Sequence, residues 1–84
     1  MLKEQEEVLK RDYMSVVYAG CIITYKNITL CDLTDQVPYL KSRQNGMYQV
    51  HSDNSKIKFS EIYHNVEEAV NKFIELKLQV VNEQ

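Results

Sequence analysis

The sequence predicts an α+β fold: an antiparallel β-hairpin and a β-meander, with an N-terminal and a C-terminal helix packed on one sheet face. Three observations carry this. Both ends of the chain space their apolar residues helically, the middle alternates apolar and polar residues between turn signals, and 84 residues leave room for one core. The expectation is therefore a single domain over residues 1–84.

The first helix is expected over residues 2–18, LKEQEEVLKRDYMSVVY. Leu2, Gln5, Val8, Leu9, Tyr13, Val16 and Val17 share a stripe, Glu4, Glu6, Glu7, Lys10 and Arg11 supply much of the other side, and Gly20 is the stop. Residues 21–31, CIITYKNITLC, then read as a hairpin turning on Lys26 and Asn27, with strands over 21–25 and 28–32. A two-residue loop sets Tyr25 opposite Ile28 and Ile23 opposite Leu30. It also places Cys21 and Cys31 on different sides, where they cannot bond.

Pro38 ends a short irregular stretch and opens a three-stranded meander over 39–43, 47–52 and 56–63, with turns at QNG and SDNS. Centring the second turn between Asp53 and Asn54 pairs Val50 with Ile57 and Tyr48 with Phe59 on the core face. At the first turn, a tight Asn-Gly loop would bring Lys41 and Arg43 onto that face. A Gln44-Asn45-Gly46 loop with glycine in the left-handed region instead pairs Leu40 with Val50 and Ser42 with Tyr48, and is preferred.

The last helix is expected over residues 66–79. Asn65 is its cap, with Glu68 placed to reciprocate, and Val66, Ala69, Val70, Phe73, Ile74 and Val81 lie near one stripe that Lys77 interrupts. The LQVV segment that follows is open to either helix or strand.

Function is read mainly by exclusion. A formal charge of −2 gives no whole-molecule attraction to polyanions. No apolar run approaches the roughly 20 residues that span a bilayer, and the acidic start lacks the order of a signal peptide, so a cytoplasmic protein with no membrane partner is expected. Two cysteines at this spacing suit neither a disulfide scaffold nor a CxxC pair, and they are expected to be reduced and partly buried. Nucleotide-binding, nucleophile-elbow, zincin and calcium-loop motifs do not occur. His51 and His64 fall on separate elements, so no catalytic residue, metal or cofactor is assigned and an enzyme is the lesser reading.

One face stands out. The preferred registers gather Tyr39, Lys41, Arg43, Met47, Gln49, His51, Lys56 and Lys58 on the outer side of the meander, with four of the chain's ten lysines and arginines and no acidic residue. Such a basic and aromatic surface suits recognition of an acidic protein partner, the leading expectation. The alternative is nucleic acid, with Tyr39 stacking on a base while the cations meet phosphates. A chain this short also gains stability by association, so a homodimer is expected as well.

Overall fold

The computed structural model describes residues 3–34 and 46–82. In chain order these form α1 (Lys3–Tyr18), β1 (Ile23–Tyr25), β2 (Ile28–Asp32), β3 (Tyr48–Asp53), β4 (Lys58–Tyr63) and α2 (Val66–Asn82). The strands make one antiparallel sheet in the order β1-β2-β3-β4, and the two helices pack on it, as the α+β reading anticipates.

Helix α1 ends where glycine allows it to. Gly20 has φ +80°, the Gly20 N–H donates to the Val17 carbonyl at 2.9 Å, and the Cys21 N–H donates to the Val16 carbonyl at 3.2 Å. Those two bonds satisfy carbonyls that the last turn leaves unpaired, and together they form a Schellman stop. The buried side of α1 is narrower than the sequence suggests. Leu9, Tyr13 and Val17 lie on one line and meet the core with Met14, whereas Val8 and Val16, one position round, are exposed.

The first hairpin has the anticipated register, with Ile23↔Leu30, Thr24↔Thr29 and Tyr25↔Ile28. Lys26 and Asn27 both have positive φ, 46° and 67°, which is the backbone of the type I′ turn that matches strand twist. Both cysteines are free, and Cys21 is exposed rather than partly buried.

Two expectations about the meander are corrected. First, β3 pairs with β2 on one side and β4 on the other, through Leu30↔Val50 and Val50↔Glu61. Both edges of β3 are thus taken by described strands, and the expected partners of Val50 and Tyr48 on the third strand, Leu40 and Ser42, lie outside the described residues. Gly46 is also not among the residues of positive φ. Its N–H donates to the His64 carbonyl at 3.1 Å, and an added Cβ there would meet Thr34 Oγ1 and Tyr48 Oη, each at 2.6 Å. Close approach, not a left-handed turn, is what requires this glycine.

Second, the β3–β4 turn is not centred between Asp53 and Asn54. The ladder closes at Asp53↔Lys58, so Val50 faces Glu61 and Tyr48 faces Tyr63, while Phe59 faces Ser52. Asn54 opens a turn of residues 54–57: its carbonyl accepts from the Ile57 N–H at 3.2 Å, and its Oδ1 accepts from the Lys56 N–H at 2.9 Å. Buried Ser52 locks the turn, donating its hydroxyl to the Ile57 carbonyl at 2.6 Å. Relative to the expected pairing the register slides by an even number of residues, so each side chain keeps its face.

Helix α2 starts at its cap, where Asn65 Oδ1 accepts from the Glu67 and Glu68 N–H groups at 2.8 and 3.2 Å. It continues through LQVV to Asn82, so that segment is helical. Leu76 and Val80 are buried and Val81 is exposed, a change from the expected stripe. With 3.6 residues per turn, Val80 lies almost directly above Phe73, whereas Val81 is swung aside. Phe73, Ile28, Leu30, Val17, Val50 and Val70 are the largest fully buried side chains, so α2 lies over the middle of the sheet.

Candidate functional site

Strand alternation divides the sheet into two unlike faces. Ile23, Tyr25, Ile28, Leu30, Tyr48, Val50, Phe59 and Tyr63 point to the helices and belong to the core or pack against it. The alternate residues, Thr24 on β1, Thr29 and Cys31 on β2, Gln49, His51 and Asp53 on β3, and Lys58, Ser60 and Ile62 on β4, form the other face. Thr24, His51, Asp53, Lys58, Ser60 and Ile62 are exposed there.

Of the residues expected on this face, Gln49, His51 and Lys58 come together on it. Met47 sits at its margin, where its N–H donates to Thr34 Oγ1 at 3.1 Å and its carbonyl accepts from the Leu33 N–H at 2.7 Å. Lys56 lies in the 54–57 turn rather than on a strand. Tyr39, Lys41 and Arg43 lie outside the described residues.

The electrostatics differ from the expectation of an acid-free face. Asp53 stands opposite Lys58, and Lys58 Nζ meets Asp53 Oδ1 at 3.0 Å. That hydrogen bond and charge, followed by the more distant His51, hold the Asp53 carboxyl below its ordinary range. Both members are largely solvent-exposed, so the pair adds little stability. Its effect is to cancel the lysine's charge locally. Beyond that pair the described part of the face is mostly polar surface: His51 stands between Thr29 and Ser60, and Gln49 Nε2 reaches Ser60 Oγ at a long 3.4 Å.

Thr24, Thr29, Cys31, Ser60 and Ile62 were not among the expected face residues. The period-2 alternation of β4 already put Ser60 and Ile62 on the side of Lys58; what joined β2 to the face was its pairing with β3, which no local signal records. Cys31 carries no activation, since burial pushes its thiol up, away from the reactive thiolate.

His64 is elsewhere. Its Nδ1 lies 3.2 Å from the Gly46 carbonyl, and its own carbonyl accepts from the Gly46 N–H, which ties the end of β4 to the approach to β3. The two histidines form no common site. Among the described residues no three His, Cys, Asp or Glu side chains are placed to hold a metal ion, and no helix is long and apolar enough to cross a membrane.

No protein-family model, curated protein or solved structure matches the chain.

Proposed function

We propose that the protein is a binding module that recognises a protein partner through the open face of its sheet, with Gln49, His51 and Lys58 at the centre of the contact. The supporting observation is the asymmetry of the sheet: one face is covered by both helices, while the other presents exposed Ile62, His51 and Ser60 around the self-neutralised Asp53–Lys58 pair. Polar groups interspersed with an apolar side chain suit a protein surface better than a polyanion, because Asp53 already occupies Lys58. The expectation of an acidic partner is tied to Tyr39, Lys41 and Arg43, which lie outside the described residues and carry no part of this proposal.

Size limits the affinity. Four strands about 4.8 Å apart, of three, five, six and six residues, make a face of about 20 by 17 Å. That is about 340 Å² a partner, less than half of the roughly 800 Å² in a standard stable interface. The face by itself suits a transient contact, and a homodimer formed through it alone dissociates at low concentration.

The test compares proteins retained by the wild type, by a Gln49→Arg/His51→Glu variant, and by a control with exposed Glu6 and Arg11 replaced on α1. Loss of the same protein from the face variant alone, with the variant's thermal unfolding unchanged, supports the reading. Retention by all three refutes it. If the retained species is single-stranded nucleic acid whose binding falls steeply between 50 and 200 mM salt, the protein-binding reading is likewise refuted.

A further inference from the structure

We propose that the outer edge of β4 takes up an extended peptide segment bearing alternate lysine or arginine residues as an added strand, a second binding mode independent of the open face. As the last strand in the order β1-β2-β3-β4, β4 turns alternate N–H and C=O groups away from the sheet, where no described residue pairs with them. Proteins usually blunt such edges with proline, a bulge, extreme shortness or charged side chains. Between Lys58 and Tyr63 there is no proline, and the pairing runs unbroken from Tyr48↔Tyr63 to Asp53↔Lys58. Of the two charges on β4, Lys58 is held by Asp53, and Glu61 repels an acidic strand while leaving the edge open to a basic one. The opposite edge, β1, has three residues against six in β4 and offers much less.

The chemistry of the flank selects the occupant. Beside β4, against α2, lies an open cleft of about 410 Å³ lined by Tyr63, Glu68, Asn71, Lys72 and Glu75. Lys72 is held by Glu75 at 2.5 Å, whereas Glu61 and Glu68 make no ion pair among the described residues. By strand alternation Glu61 shares the helix-facing side of β4 with Tyr63, so three carboxylates flank one committed lysine. Burial first, and then Glu61, Glu75 and Glu68 against the opposing Lys72, push the Tyr63 hydroxyl up. An added strand sends every second side chain over this cleft, where a cation fits, and the others beside Ser60 and Ile62, where an apolar or neutral group fits. A second copy of the chain, pairing β4 with β4, would bring the two acidic flanks together and is the poorer occupant.

The probe is an eight-residue peptide alternating lysine and valine, titrated into the isotopically labelled full chain while its amide NMR spectrum is followed. The expected result is shifts confined to residues 58–63 and 68–75. Affinity should fall at least tenfold for a Glu61→Lys/Glu68→Lys variant and for a peptide N-methylated at alternate residues along one edge, and stay unchanged for Gln49→Arg/His51→Glu. Undiminished binding of the N-methylated peptide would mean charge attraction without strand addition and would overturn the proposal. So would shifts centred elsewhere, equal affinity for a glutamate–valine peptide, or absence of binding.

Discussion

Lys77 is the one charged side chain set into the apolar stripe of α2, and replacing it with methionine tests why it is there. Its Nζ donates to Tyr13 Oη at 2.6 Å and lies 5.3 Å from the Tyr13 ring centre and 5.0 Å from that of Tyr25. The distance to the Tyr13 centre is close to the hydrogen-bond length plus the reach of the hydroxyl. The ammonium therefore sits at the tip of Tyr13, in its ring plane, so the contact with Tyr13 is a hydrogen bond and the cation–π contact belongs to Tyr25. Tyr13 in turn sets its edge against Phe73, with ring centres 5.3 Å apart. Lys77 thereby links α2 to both α1 and β1.

Methionine keeps the unbranched stem and removes only the ammonium. A hydrogen bond from a charged donor is worth about 1.5–3 kcal/mol and a cation–π contact about 0.5–1 kcal/mol. Partial desolvation of the lysine offsets some of this, so Lys77→Met should destabilise the fold by about 1–2 kcal/mol. At 4–8 °C per kcal/mol for a domain of this size, Tm should fall by roughly 4–16 °C. Urea unfolding of Lys77→Met, Tyr13→Phe and the double variant then gives a coupling energy, expected to be about 1 kcal/mol. A Lys77→Met protein as stable as the wild type, or a coupling below about 0.3 kcal/mol, would refute the argument and make Lys77 a solvated residue that merely lies near two rings.

Gly46→Ala should cost about 1–3 kcal/mol, because its Cβ would press on Thr34 and Tyr48, and adding Tyr48→Phe should recover part of the loss in thermal unfolding. Asn65→Ala should cost about 1 kcal/mol by leaving the Glu67 and Glu68 N–H groups uncapped, while Asn65→Asp should retain the wild-type midpoint in urea. The Asp53 carboxyl, followed by carbon NMR, should titrate below the ordinary carboxylate range and return to it in Lys58→Ala. Since its folded pKa is depressed, its contribution to stability is present above the unfolded value and is lost as pH falls through the folded one. Lys58→Ala should flatten that acid-side slope.

How far the site was legible varies residue by residue. Gln49, His51 and Lys58 lie on the open face both in the pairing the sequence predicts and in the observed one. The two β3–β4 registers differ by an even number of residues, and alternation has a period of two, so Val50 stays inward and His51 outward in either pairing. The acid-free character of the face did not survive, because it depended on the register itself. Only with Asp53 opposite Lys58, rather than at the centre of the turn, does the carboxylate reach the lysine.

Properties set by neighbours along the chain were determined by the sequence alone. These include the two helices, the Gly20 stop, the Asn65 cap, the two-residue turn at Lys26 and Asn27, and which side of each strand is apolar. Each rests on groups within about one helical turn of one another or on a fixed period. Tertiary structure alone decided which strand lies beside β3. Residues 28–32 and 39–43 both offered alternating segments, and nothing local ranks them. Pairing β2 with β3 puts Ile28 and Leu30 beside Val50 beneath Phe73 and Val70, burying all five completely. The gain from closing that core arises between residues distant in sequence, so it cannot be read from any short stretch.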